Sequence, residues 1–209
     1  MSQAAIPLWL RWAREIQAIA QTGLHFSANE FDRGRYQRLA EIASEIVSHF
    51  TQLPEETLLK SFLAQPGYAT PKVDVRAAVF LDGRILMVQE RTDGMWSLPG
   101  GWADVNMSPA AMVEREVWEE SGFRVSARKV AGVFESNHDR DPINVYHAYK
   151  VLFLCDLVGG EARTSNETSA VQYFGRDELP PFSPFRTPER VVQEAFAHLD
   201  DPDRPAAFE

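Results

Sequence analysis

The spacing of apolar residues changes at a proline- and glycine-containing stretch that runs from Pro66 to Pro71. Before this stretch, apolar residues recur every three or four positions, which is the period of an amphipathic helix. One such stripe comprises Ile6, Trp9, Ala13, Ile16 and Ala20, and a second comprises Leu39, Ile42, Ala43, Ile46, Val47 and Phe50. Pro54 opens a third, shorter helix that extends through Leu63. The pattern therefore predicts a helical domain over residues 1–66 and a second domain over residues 67–209.

From Lys72 onward the sequence takes on the composition and alternation of strands. The predicted strands are Val73 to Phe80, Ile85 to Gln89, Val125 to Phe134, Val145 to Asp156 and Val171 to Phe174. An Asp82-Gly83 pair favours a tight hairpin turn between the first two. Residues Thr187 to Leu199 have the spacing of a closing amphipathic helix. Together with a central helix, these elements predict an α/β domain.

The central helix is predicted from the local signals at its two ends. Ser108 is a favourable N-cap, and Pro109 suits the first helical position, where the missing N–H has no partner to lose. Gly122 follows the last turn, where a left-handed residue ends many helices. On such a helix, Val113 and Val117 can face the core.

Three carboxylates stand close together near the end of this predicted helix. Glu116, Glu119 and Glu120 are spaced i, i+3 and i+4, so they share one helix face. Their mutual repulsion is relieved if a cation lies between them, and oxygen ligands of this kind suit Mg²⁺ or Mn²⁺ with substrate phosphate. The alternative interpretation is an acidic helix face exposed to water, which is what most charge runs are.

The surrounding residues resemble the Nudix box, a glycine-loop-helix motif with the pattern G-x5-E-x7-R-E-U-x-E-E-x-G-U. The motif here follows Leu98-Pro99-Gly100, and one position departs from it, since Met107 stands where the box has its first glutamate. The matching residues are Gly101, Arg115, Glu116, Val117, Glu119, Glu120, Gly122 and Phe123. The resemblance implies a Nudix α/β/α sandwich around a mixed sheet. It also implies hydrolysis of a nucleoside diphosphate linked to another group, X.

The family resemblance further implies a set of metal ligands. It assigns Mg²⁺ or Mn²⁺ to Glu116, Glu119, Glu120 and the backbone carbonyl of Gly101. It also implies that Arg115 holds neighbouring carboxylates through charge-assisted bonds. Met107 leaves two interpretations open. In the first, metal binding is weakened but not abolished, and Asp104 either supplies part of the missing charge or is an ordinary loop residue. In the second, the protein is a catalytically weak, nucleotide-binding regulator on the same scaffold.

The resemblance does not single out the general base. Glu116 and Glu120 are candidates, as is Glu167, because the base of this family often comes from a loop beyond the helix. Relatives often carry another glutamate where this chain has Ala170. Family substrates are often recognised between two strands, in the segment that here holds His138, Asp139, Asp141 and His147.

The helical front end resembles the N-terminal domain of a bacterial Nudix branch. Leu10 to Leu24, Phe31-Asp32 and Arg35-Tyr36 carry this second resemblance. The branch includes enzymes similar to CDP-choline and ADP-ribose pyrophosphatases, which implies a substrate of that class. Three short helices bury little surface alone, so we expect them to pack on the sandwich or on a second subunit, in a homodimer. A third hypothesis is an interaction protein whose helical domain is the working part.

Composition excludes other classes of function. The net charge of −9 argues against binding to duplex nucleic acid, which requires a basic face. No apolar run has the length of a membrane span, and the N-terminus lacks the pattern of a signal peptide. The single cysteine, Cys155, lies in an apolar strand pattern and cannot form an internal disulfide. These features predict a cytoplasmic protein, and they do not exclude the small-molecule nucleoside diphosphate substrate that the family resemblance implies.

Overall fold

Three helices occupy the chain before the proline- and glycine-containing stretch, as the apolar period predicts. They are α1 (Leu8–Phe26), α2 (Glu30–Phe50) and α3 (Glu55–Leu63). The computed structural model describes residues 6–136, 145–183 and 186–208, so His138, Asp139 and Asp141 lie outside the described residues. The chain divides into a helical unit over residues 1–71 and 145–147, and a sheet-containing unit over residues 72–144 and 148–209.

The helical unit includes a segment that the sequence pattern assigned to a strand. Val145 is buried among the helices, where it packs with Ala13, Ala43, Val47, Leu58 and Phe62. Arg14 donates hydrogen bonds of 3.0 Å to the carbonyls of both Val145 and Tyr146. The predicted strand from Val145 to Asp156 therefore begins later, at Ala148, since the helices hold the preceding residues.

Within its described residues, the second unit is built on one mixed sheet of seven strands. The strands are β1 (Lys72–Leu81), β2 (Arg84–Glu90), β3 (Trp96–Ser97), β4 (Phe123–Glu135), β5 (Ala148–Gly160), β6 (Thr168–Phe174) and β7 (Ala207–Phe208). Their order is β3-β2-β1-β5-β4-β7, and β6 pairs with β2. The β1–β5 and β4–β7 pairs are parallel, whereas the other named pairs are antiparallel. The two-residue strands β3 and β7 are too short to produce a periodic signal in the sequence.

A helix covers each face of this sheet. Helix α4 (Pro109–Ser121) packs on one face and helix α5 (Glu189–Asp200) packs on the other. Successive residues of β1 alternate between the two cores, with Ala77 on the α4 side and Ala78 on the α5 side. This arrangement confirms the predicted α/β/α sandwich.

The predicted ends of α4 are confirmed as well. The Ser108 side chain accepts a 3.2 Å hydrogen bond from the Ala111 N–H, and Pro109 occupies the first turn. Gly122 closes the helix with φ of 78°, in the left-handed region.

Cys155 is buried in β5, and burial raises the pKa of its thiol to about 12. None of the described helices combines the length and the apolar composition that a membrane span requires.

Candidate active site

The loop before α4, residues 98–101, has its peptide groups held from three directions. The Leu98 N–H donates to Thr187 Oγ1 at 2.9 Å, and its carbonyl accepts from Arg76 Nη1 at 3.0 Å. The Gly100 N–H donates to Glu120 Oε2 at 2.9 Å. Because the backbone groups of the loop are hydrogen-bonded to fixed elements, the loop is ordered in advance of any ligand.

Strand β1 fixes the same loop from the side. The N–H groups of Ala77 and Val75 donate to the carbonyls of Pro99 and Gly101 at 2.9 and 2.8 Å. Gly100 has φ of 140°, and a Cβ there would lie 2.0 Å from the Val75 carbonyl oxygen, which no side chain tolerates. At Gly101 a Cβ would stand 3.3 Å from the Glu116 carboxylate. The double glycine therefore permits both the strand contact and the close approach of a box carboxylate.

The three predicted metal ligands on α4 differ in their environments. Glu120 is buried, Glu116 is half-buried and Glu119 is exposed. Burial raises the pKa of Glu120 to about 8, with the nearby Arg76 charge opposing this shift. Burial, followed by the charge of Glu119, also raises the pKa of Glu116. The carboxylates that would bind a cation thus carry an unfavourable electrostatic energy in its absence.

The structure brings Glu167 to these glutamates. A cleft of about 280 Å³ is lined by Glu116, Trp118, Glu119, Glu120, Arg163, Ser165, Asn166 and Glu167. The loop that carries Glu167 is fixed at its base, because Thr168 Oγ1 donates to the Glu120 carbonyl at 2.7 Å. The Glu167 carbonyl accepts from the Arg91 N–H at 2.9 Å. The fourth carboxylate is therefore held at the same cleft, where its charge contributes to the raised pKa of Glu116.

Arg115 makes its ion pairs at the edge of the site. Its Nη2 donates to Asp104 Oδ2 at 2.6 Å, and its Nη1 lies 3.1 Å from the sulfur of Met107. Its Nε lies 3.5 Å from Glu119 Oε1 without a hydrogen bond. The arginine thus contacts both Asp104 and Met107, the residue that departs from the box pattern.

The sequence pattern did not predict a buried charge cluster that contacts the glycine loop. Arg76 donates two 2.9 Å hydrogen bonds to Asp74, and Lys150 donates to the same carboxylate at 2.5 Å. Although burial favours the neutral acid, the charges of Arg76 and Lys150 lower the pKa of Asp74. The alternation Val73-Asp74-Val75-Arg76 resembles that of a half-exposed strand, so the available signal is the presence of complementary charges on two predicted strands.

A second buried carboxylate supports β3 and the start of the loop. Glu90 is fully buried, and its Oε1 accepts from Ser97 Oγ at 2.5 Å. Arg186 Nε lies 3.1 Å from Glu90 Oε2. His147, by contrast, belongs to the helical unit.

The residues around the cleft provide oxygen donors for a divalent cation. In the part of the chain that the structure describes, no three His, Cys, Asp or Glu side chains already converge as a metal site. The Glu116 carboxylate nevertheless lies against Gly101, in a space that a Cβ would fill. The Gly101 carbonyl keeps one lone pair beyond its bond to Val75. This donor set of carboxylates and one carbonyl fits Mg²⁺ or Mn²⁺.

Comparisons with known proteins agree with this geometry. Residues 70–195 match the model of the NUDIX domain, and residues 7–62 match a model described as a UDP-X-like, N-terminal oligomerisation domain. The chain is 37% identical over 201 residues to YjhB of Bacillus subtilis, whose name proposes it to be an ADP-ribose pyrophosphatase. That alignment covers 96% of this chain and 97% of the relative.

Among the solved structures that resemble the chain, two have related names. An ADP-ribose pyrophosphatase from Streptococcus suis is 38% identical with a TM-score of 0.61, covering 67% of this chain and all of that one. A UDP-X diphosphatase is 29% identical with a TM-score of 0.62, covering 96% of this chain and 98% of that one. From its NUDIX-domain match and its full-length relatives, the chain belongs to the Nudix family and is a Nudix pyrophosphohydrolase.

Proposed function

We propose that the protein hydrolyses the pyrophosphate bond of a nucleoside diphosphate linked to X, releasing a nucleoside monophosphate and phosphorylated X. The observation that carries this proposal is the cleft at which Glu116, Glu119, Glu120 and Glu167 meet beside the ordered glycine loop. The names of the relatives favour ADP-ribose or a uridine diphosphate derivative as the substrate, and CDP-choline belongs to the same class.

In this proposal the carboxylates of Glu116, Glu119 and Glu120 and the carbonyl of Gly101 hold Mg²⁺ or Mn²⁺. Such a cation neutralises phosphate charge and acidifies a bound water. Glu120 also accepts from the Gly100 N–H, which couples the helix to the loop. Arg115 acts from the periphery, where it is paired with Asp104.

Glu167 is the proposed proton acceptor among the candidates. An oxygen–phosphorus bond forms from water as the bridging phosphorus–oxygen bond breaks, so one water proton must leave. Glu167 is exposed at the cleft and its backbone is held by Arg91, whereas the Glu120 carboxylate already accepts from a backbone N–H. The Glu167→Gln variant should lower kcat and leave the affinity for the metal unchanged, whereas Glu120→Gln should weaken metal binding.

A metal titration tests the activity directly. ADP-ribose, CDP-choline and UDP-glucose are offered with Mg²⁺ or Mn²⁺, and release of nucleoside monophosphate is measured. Glu119→Gln and Glu120→Gln should each reduce kcat by about 10²-fold or more, as loss of a key electrostatic group does. The catalytically weak regulator suggested by Met107 would instead bind these nucleotides without turnover under any metal.

We also propose that the helical unit assembles two copies of the chain. An exposed apolar stripe runs along α1 at helical spacing and comprises Leu8, Trp12, Ile19 and Phe26, each about half exposed or more. A stripe of this kind is unusual on a monomer surface, and the matching family model is described as an oligomerisation domain.

Light scattering after size-exclusion chromatography tests this assembly. Ile19→Lys on the stripe should shift the mass from a dimer to a monomer, whereas Val158→Lys, at an exposed position of β5, should leave it unchanged. A monomeric native chain would contradict the proposal.

A further inference from the structure

One positive charge lies among the carboxylates of the cleft. Of the eight described residues that line it, four are glutamates and Arg163 is the one basic residue. Arg163 is exposed, and within the described part of the chain no carboxylate forms an ion pair with it. A cation that remains unpaired beside so many carboxylates is available to an anionic ligand.

The backbone at Arg163 is fixed to the end of the box helix. Its N–H donates to the Ser121 carbonyl at 2.8 Å. A Cβ at Gly122 would stand 2.7 Å from the Arg163 Cβ and 2.5 Å from the Glu161 carbonyl oxygen. The box glycine therefore does more than close α4 with a positive φ, because its lack of a side chain lets this loop approach the helix.

Trp118 holds the side chain of Arg163. The guanidinium carbon lies 5.3 Å from the centre of the Trp118 ring, within the range of a cation–π contact. Trp118 is 44% exposed, although it lies on the helix that carries the three glutamates. A guanidinium in contact with an aromatic face keeps its N–H donors free, and two of these can bind one phosphate.

The charges of the cleft and of its proposed substrate indicate a role for the Arg163 guanidinium. The four carboxylates and a dinucleotide-like pyrophosphate diester together carry about six negative charges, and two divalent cations neutralise about four of them. A further cation at the rim of the cleft would offset part of the negative charge that remains.

We propose that Arg163, held on Trp118, is a substrate-binding residue that contacts a phosphate oxygen of the X-linked diphosphate. This inference rests on the proposed function for its substrate class. Arg163 contributes binding energy to substrate and transition state alike, so its loss acts mainly on KM.

The test compares Arg163→Ala and Arg163→Lys with a matched control, Arg124→Ala. Arg124 is an exposed arginine that lines a different cleft together with Glu114, Arg115 and Trp118. All three variants remove or alter surface arginines, so they should melt within about 2 °C of the native protein.

With the best substrate and metal, Arg163→Ala should raise KM about tenfold with kcat within threefold, as expected for one charge-assisted contact. Arg163→Lys should lie between, and Arg124→Ala should match the native protein.

A binding measurement separates this inference from the proposed activity. Inorganic pyrophosphate and ADP are titrated into each protein by calorimetry, with EDTA and with Mg²⁺. About tenfold weaker binding for Arg163→Ala alone supports the inference even if no X-linked substrate is turned over, in which case only the proposed function fails. Equal binding by Arg163→Ala and the native protein, or an equal loss in Arg124→Ala, would overturn it. Trp118→Leu should reproduce part of the loss, because it frees the guanidinium.

Discussion

Arg115 forms a 2.6 Å hydrogen bond with Asp104 while its second terminal nitrogen lies 3.1 Å from the sulfur of Met107. Met107 occupies the position at which the Nudix box has a glutamate. The arginine therefore keeps a carboxylate partner, but the partner comes from three residues earlier in the loop. We propose that Asp104 supplies part of the charge that the neutral Met107 lacks, which would leave the site intact.

Removal of Asp104 tests this compensation. Asp104→Ala should lower kcat/KM about tenfold, because Arg115 loses its partner and is free to pair more closely with Glu119, a proposed metal ligand. The thermal stability should change little, since Asp104 is exposed and exposed ion pairs contribute about 1 kcal/mol or less. Steady-state kinetics at several metal concentrations provide the measurement.

The double variant Asp104→Ala, Met107→Glu provides the rescue. A glutamate at position 107 should recover most of the activity, because it places a carboxylate where the sulfur now contacts Arg115. If the double variant is as slow as the single one, Asp104 acts through something other than this arginine.

Arg76 should prove essential to the glycine loop although it lies outside the motif. Arg76→Lys keeps the charge but cannot reach both Asp74 and the Leu98 carbonyl, which the guanidinium spans. We expect Mn²⁺ affinity, measured by electron paramagnetic resonance without substrate, to fall about tenfold. Urea unfolding should show destabilisation of about 3 kcal/mol, as for disruption of other buried ion pairs.

A control is needed because any buried charge affects stability. Glu194→Gln breaks the pair between Glu194 and Arg204 near α5, on the other face of the sheet. It should reduce stability while Mn²⁺ affinity stays at the native value. A parallel loss of metal affinity in both variants would mean that Arg76 acts through global stability alone.

Thr187 should contribute to stability through a single hydrogen bond. Its hydroxyl accepts from the Leu98 N–H at 2.9 Å in a buried site. Thr187→Val keeps the volume but leaves that N–H without a partner, which costs about 1–3 kcal/mol. Thr187→Ser keeps the acceptor and should cost less than half as much in urea unfolding. A larger loss in Thr187→Ser than in Thr187→Val would show that the methyl group matters more than the hydrogen bond.

The two ends of α4 could be predicted from the sequence, whereas several long-range hydrogen bonds of the fold could not. The start and end of α4 are local, because Ser108, Pro109 and Gly122 determine them within a few positions. The α/β/α fold could also be predicted, because the strand periods and the resemblance to the Nudix box indicate the same sandwich. Glu167 could be named as a candidate because the family places a base in a later loop.

The missed features depend on residues that are far apart in the chain. Arg76 reaches Leu98, and Thr187 reaches the same residue from a point 89 positions later. Val145 has the pattern of a strand residue, but Arg14 holds its carbonyl across 131 positions. No local window contains both members of such a pair, so none of these three hydrogen bonds could be predicted from periodicity.

Glu120 should make the metal-free protein less stable as the pH rises. Burial raises the pKa of this carboxyl from 4.5 in the unfolded chain to about 8 in the folded one. The contribution of Glu120 to the free energy of unfolding is fully present below pH 4.5 and is lost as the pH rises through about 8. Between these two pH values, only the folded state retains the proton. Glu120→Gln removes this titration and keeps an oxygen for the Gly100 N–H. In EDTA, the variant should therefore melt several degrees above the native protein at pH 8, and the difference should shrink toward pH 5.

Added Mg²⁺ should raise the native melting temperature more than that of the variant, since a cation favours the ionised carboxylate. Melting curves that run parallel for the two proteins from pH 5 to pH 8 would show that Glu120 is already ionised in the metal-free fold.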